Sequence, residues 1–118
     1  SGGTIHVRMK KMQDMDIIKG SHLIIDPQRI GYDICAFLGI YLEKGSQYKD
    51  AVENLRKIKE VVELHYTTGS YSMFAKIICR DTNHLRQVLN EDIQGVKGIQ
   101  RTETLISLEE SIKRQITL

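Results

Sequence analysis

Apolar positions along this chain alternate, recur at helical spacing, alternate twice more, turn helical again and end in alternation. From Asp33 to Glu43 nearly every residue is apolar. Ile34, Ala36, Leu38, Ile40 and Leu42 fall on one side of an extended segment, and Cys35, Phe37, Gly39 and Tyr41 on the other. That predicts a strand covered on both faces. Gly45-Ser46 breaks it, with Ser46 placed as a helix cap, and Tyr48, Ala51, Val52, Leu55 and Ile58 then form a helical stripe. Two runs rich in β-branched and aromatic residues follow within Val61 to Arg80, flanking a polar turn at Gly69. They read as a hairpin. Asp81 and Thr82 supply capping side chains for a second helix whose stripe is Leu85, Val88, Leu89 and Ile93, with Gly95 placed to end it. A last strand runs from Ile99 to Leu108, and Glu109 to Leu118 is a mixed tail, either a strand or a short helix.

The resulting order, β-α-β-β-α-β over residues 32–118, predicts an α+β fold of the ferredoxin-like type. Right-handed crossovers place both helices on one face of a four-stranded antiparallel sheet. The other face keeps apolar residues from the first and third strands, and the chain has no further layer for it. A second copy packed sheet against sheet is the expected cover. The same topology brings the turn Thr67–Ser72, Gln94 and Gln100 to one edge, with Glu43 to Ser46 close by.

The segment before this domain differs in kind. Thr4 can cap a helix in which Ile5, Met9 and Met12 share a face, opposite His6, Arg8, Lys10 and Lys11. Residues 1–16 thus read as a short basic helix, either a solvated surface helix or part of a helix-turn-helix. Residues 17–31 read as a linker: a strand from Ile17 to Asp26 interrupted at Gly20-Ser21, stopped by Pro27, then a tight turn through Ile30-Gly31.

Composition narrows the classes. The 118 residues carry 17 Lys plus Arg against 15 Asp plus Glu, too even a balance to argue for nucleic acid. No apolar run approaches the roughly 18 residues that span a bilayer, and no membrane partner is expected. Cys35 and Cys79 stand singly in apolar runs, as buried reduced thiols of a cytoplasmic protein. His6, His22, His65 and His84 show no metal-ligand spacing, so neither metal nor other cofactor is expected.

Several stretches resemble a known family. The run T-I-H-V-R-x-x-K-M at Thr4 to Met12 resembles the end of the helix-turn-helix of Lrp/AsnC transcription regulators. I-I-K-G at Ile17 to Gly20 is similar to their linker, and Ile30-Gly31-Tyr32-Asp33 to the entry into their second domain. Y-T-T-G-x-Y-S at Tyr66 to Ser72 and I-Q-x-T-E-T-L-I at Ile99 to Ile106 resemble the asparagine-responsive branch. The resemblance implies a ferredoxin-like effector-binding domain, dimers that gather into octamers, and a small amino acid held between dimers. For the intact regulator it also implies DNA binding, carried here by a remnant recognition helix with Thr4, His6, Arg8 and Lys11. The family's first two DNA-binding helices have no counterpart before Thr4.

A zwitterionic amino acid needs donors for its carboxylate and acceptors for its ammonium. Gly69 allows close backbone approach, so N–H groups near Ser70 and Tyr71 can face a carboxylate. Thr67, Thr68, Ser70 and Ser72 add hydroxyls, and Gln94 or Gln100 could pair with a side-chain amide. Taken without the resemblance, the same residues describe an ordinary tight hairpin. Two other functions stay open. One is a small dimeric enzyme using His65, Tyr66 or Tyr71, although His65 and Tyr66 are adjacent on a strand and point to opposite faces. The other is a stand-alone sensor module acting through mixed oligomers. His65 is expected to be a satisfied structural histidine, and His84 to be solvated in the first turn of its helix.

Overall fold

A computed structural model describes residues 26–117. The expected basic helix with Thr4, His6, Arg8 and Lys11, and the linker strand up to residue 25, lie outside the described residues. Four strands form one sheet: β1 (Ile34–Leu42), β2 (Val61–Tyr66), β3 (Met73–Cys79) and β4 (Ile99–Ile106), in the order β2-β3-β1-β4 with every pair antiparallel. Helix α1 (Tyr48–Arg56) joins β1 to β2, and α2 (Thr82–Gln87) joins β3 to β4. This is the ferredoxin-like arrangement expected from the sequence.

Alternation on the two central strands decides the core. Ala36, Leu38, Ile40 and Leu42 of β1 and Met73, Ala75, Ile77 and Cys79 of β3 are buried on the helix side, against Ala51 and Leu55 of α1 and Leu85 and Val88 beyond. Tyr48, Val52 and Ile58 complete the α1 contact. Asp81 caps α2, accepting from the His84 N–H at 2.7 Å. Helix α2 then widens into a π-helical turn, Val88–Ile93, where the Gln94 N–H donates to Leu89 O. That widening carries Ile93 onto the core and leaves Asp92 exposed; regular 3.6-residue spacing from Val88 would have turned position 92 inward.

Three local expectations need correction. Ser46 does not cap α1: a 3-10 turn, Gly45–Gln47, precedes the helix, and the Lys44 N–H donates to Gln47 Oε1 at 3.2 Å. The second helical segment does stop just before Gly95, as expected, and the left-handed glycine ahead of β4 is Gly98, at φ 97°. The tail over 107–117 is neither strand nor helix. Cys35 is only half-buried, because its side of β1 faces outward rather than onto a helix. Before β1, Pro27–Ile30 form a single 3-10 turn, closed by Gly31 at φ 85° and by the Tyr32 N–H donating to Pro27 O.

Candidate functional site

The second sheet face is open and aromatic. Register sets residues in rows across it: His65–Phe74–Gly39–Glu103, and beside it Glu63–Lys76–Phe37–Leu105. Phe37 and Phe74 stack with centroids 5.9 Å apart. Gly39 lies among them because Tyr71 lies across it. A Cβ built on Gly39 would stand 2.3 Å from Tyr71 Cε1, so only glycine leaves room for that ring. The ring meets Tyr41 edge-on at 5.3 Å and Phe74 at 5.8 Å. Its hydroxyl donates to Glu103 Oε2 at 2.7 Å, and Arg101 sits 4.1 Å over the Tyr41 ring. The carboxylate of Glu103 stabilises the protonated phenol by accepting its hydrogen, which raises the Tyr71 pKa above the ordinary value.

Tyr71 also belongs to the turn between β2 and β3, so one residue connects the open face to the rim. That turn is held at both ends. The Thr67 N–H donates to Ser72 O at 3.3 Å, and the Thr67 hydroxyl donates to Tyr71 O at 3.1 Å. Ser72 then ties the turn to β1. Its N–H donates to Ile40 O at 2.9 Å, and its Oγ accepts from the Leu42 N–H at 3.2 Å. Ser72 Oγ thereby continues the ladder where β1 bends away.

Between these anchors the backbone is unpaired. Among the described residues, the N–H groups of Thr68, Gly69, Ser70 and Tyr71 have no backbone acceptor. Gly69 holds φ 96°, a left-handed conformation that suits glycine. The turn walls a cleft of about 190 Å³ together with Leu42, Gly45 and Tyr66. Its size is below the ~300 Å³ where drug-sized pockets begin, which suits a small metabolite. Tyr66 is fixed there by stacking on Tyr48 at 4.3 Å.

Of the residues singled out by sequence, Thr67, Gly69, Ser70, Tyr71 and Ser72 line the cleft. Thr68 is exposed on the turn without lining it; Gln94 and Gln100 are exposed on the α2–β4 connection and the start of β4. Glu43 does reach that connection, its N–H donating to Gly98 O at 2.8 Å. Sequence reasoning overlooked Gly39 and Glu103. A glycine inside an apolar strand was the available signal, since it marks a close approach. Nothing local marks Glu103, whose role depends on pairing with a strand 64 residues earlier (103 − 39).

The histidines fall differently from expectation. His84 is buried, not solvated. Its Nδ1 accepts from the Arg80 N–H at 3.0 Å, so Nε2 carries the proton and donates to Glu60 at 3.0 Å. His65 is exposed on the open face, 3.3 Å from Glu63. Glu63 is held below its ordinary carboxylate pKa, first by that contact and further by Lys76. Tyr66 points to the helix side of the sheet, so His65 and Tyr66 do not converge. Among the described residues no group of His, Cys, Asp and Glu could hold a metal ion, and no helix is long and apolar enough to cross a membrane.

An antiparallel four-stranded sheet with helices on one face and a small cleft at its rim defines the ferredoxin-like α+β class of domain. Residues 35–117 match the sequence profile of the Lrp/AsnC ligand binding domain. The chain is 47% identical over 116 residues to the regulatory protein AsnC of Haemophilus influenzae, covering 98% of this chain and 77% of that one. The solved structure of Escherichia coli AsnC superposes with a TM-score of 0.84 at 44% identity, covering 98% of this chain and 78% of that chain. A transcriptional regulator of Neisseria meningitidis, solved as a complex with L-methionine, shares the fold with a TM-score of 0.79 at 19% identity, over 100% of this chain and 77% of that one. The chain belongs to the Lrp/AsnC family, and residues 35–117 are its effector-binding domain.

Proposed function

We propose that this domain senses a small amino acid, asparagine favoured, at the β2–β3 turn. The observation that carries the reading is the row of N–H groups from Gly69 to Tyr71, without backbone acceptors, on a turn that walls a cleft of amino-acid size. Successive N–H groups in such a curve form an anion-binding concavity for the ligand's carboxylate. The Ser70 hydroxyl and the second lone pair of the Tyr71 carbonyl can take the ammonium. Thr67 and Ser72 act through the turn's shape, since Thr67 spends its hydroxyl proton on Tyr71 O and Ser72 Oγ accepts from Leu42. The cleft is open on its outer side, where Gly45 and Ser70 are exposed. A neighbouring dimer closes it, and the exposed Gln94 and Gln100 meet the ligand's side-chain amide across that junction.

Two copies pair through the open sheet face, which carries Phe37, Tyr41, Phe74, Ile78 and Leu105. Dimers then gather into a larger ring such as an octamer. Effector binding biases this equilibrium because the ligand favours one assembly over another. In the intact regulator, residues 1–16 belong to the DNA-binding domain and 17–31 to the linker, with Thr4, His6, Arg8 and Lys11 on DNA. A DNA-directed regulator of this kind works in the cytoplasm and is not an enzyme.

Calorimetric titration with each amino acid, paired with sedimentation velocity, tests the reading. Asparagine is expected to release or absorb heat at millimolar concentration and to move the sedimentation distribution. Absence of both effects for every amino acid overturns the sensor.

A further inference from the structure

The tail after β4 carries an unspent recognition surface. Ser107 still pairs with the sheet, its N–H donating to Cys35 O at 2.8 Å. Beyond it every residue from Leu108 to Thr117 is exposed. Leu108, Ile112 and Ile116 are 98%, 71% and 88% exposed, large values for such side chains. In an extended segment all three share one face, alternating with Glu110 and Arg114. The opposite face, Glu109, Ser111, Lys113, Gln115 and Thr117, is wholly polar. Aliphatic side chains at every fourth position thus share a face with one acidic and one basic residue, and nothing among the described residues covers that face.

A matching surface lies at the same end of the sheet. An apolar cleft of about 280 Å³ opens between the Pro27–Ile30 turn, the start of β2 and Ile78. Ile30 and Val62 on it are 59% and 52% exposed. Lys59 and Glu60 both line it; Glu60 is engaged with His84, which leaves Lys59 as the charge available to Glu109 or Glu110. The cleft and the exit of the tail sit at opposite edges of one sheet, β2 and β4.

The open-face pairing proposed above brings them together. A two-fold axis parallel to the strands lays each row over its own reversal, so His65 faces the partner's Glu103 and Lys76 faces the partner's Phe37. An axis across the strands instead sets β4 on β4, and where it runs through the His65–Glu103 row it stacks Glu103 on the partner's Glu103, which like charge disfavours. The first arrangement keeps ends together and exchanges edges. It therefore sets the end of one β4 above the start of the partner's β2. Packed sheets stand about 10 Å apart, a gap that about three extended residues cross.

We infer that the tail of each subunit, residues 110–116, lies as an extended arm in the Pro27–Val62 cleft of its partner, with Ile112 and Ile116 as the apolar anchors. The inference rests on the sheet-to-sheet pairing proposed above. The arms make the dimer reciprocal, since each chain both gives and receives one.

Disulfide trapping on the full chain tests it. One preparation carries Val62→Cys and a second carries cysteine scanned singly from Leu108 to Arg114, both in a Cys35→Ser background. Mixed and mildly oxidised, they are expected to form a cross-link between chains, strongest near Ile112 and at alternate positions. Separately, Ile112→Ser with Ile116→Ser is expected to raise the dimer dissociation constant at least ~10-fold, since each anchor is a large aliphatic side chain removed from water. A dimer by sedimentation that traps no interchain bond at any position, and whose dissociation the serine pair leaves unchanged, overturns the arm while sparing the sheet pairing. A monomer overturns both.

Discussion

Replacing Gly39 with alanine should displace Tyr71, and the size of the effect can be worked from the geometry. The added methyl would lie 2.3, 2.4 and 2.7 Å from three ring carbons of Tyr71, where carbon pairs settle at about 3.5–4.0 Å. The ring must retreat by more than 1 Å by that comparison. It is flanked by Tyr41 and Phe74 and tethered to Glu103, so it has no free direction within the face. Overpacking of this kind costs about 1–3 kcal/mol. For a domain of this size ~2 kcal/mol corresponds to a fall in Tm of about 5–10 °C. Thermal unfolding should be followed at one fixed protein concentration, because association shifts Tm. The sharper measurement is the same substitution in a Tyr71→Ala background. There the clash is gone, and alanine in a strand is favoured over glycine by about 0.5–1 kcal/mol, so the sign should reverse. An absorbance titration gives a second reading: displacement from Glu103 should return the Tyr71 pKa toward its ordinary value. Equal destabilisation by Gly39→Ala with and without the Tyr71 ring would refute the packing argument.

Gly69→Ala meets no atom within 4 Å, so it should cost only the left-handed backbone, ~1–2 kcal/mol, yet flatten the turn and abolish amino-acid binding by calorimetry. Glu60→Ala strands a buried imidazole N–H and should destabilise by about 1–3 kcal/mol in denaturant unfolding, with Glu60→Gln milder because an acceptor remains. Burial pushes the Cys79 thiol up from 9.0 to about 11. The folded state therefore favours the neutral thiol: its contribution is intact below pH 9 and is lost as pH rises through 11, and Cys79→Ala should reduce that alkaline loss in pH-dependent melting.

The sheet, both helices and the β2–β3 turn were legible because alternation and helical spacing are local properties of the chain. β1 and β3 show their buried faces residue by residue, and Gly69 with its small neighbours announces a turn. What escaped the sequence depends on distant partners. His84 looked solvated because Glu60, 24 positions earlier, is what satisfies it in the interior. The reason for Gly39 in β1 lies in Tyr71, 32 positions on (71 − 39), whose ring crosses it. The π-helical turn hid in a stripe of Val88, Leu89 and Ile93 that an ordinary α-helix also accommodates. Ser46 failed as a cap because Gln47 reached Lys44 first.

The strand order has a consequence for biosynthesis. The central strand β1 borrows one neighbour from late in the chain: Ala36 pairs with Ile106, 70 positions on (106 − 36). Loop closure of that length is slow, and β1 is the first of the four strands to leave the ribosome. Until β4 follows, one flank of β1 stays unpaired and Leu105 and Glu103 are missing from the aromatic face. A growing chain thus completes that face only with its last strand, and association through it waits on β4.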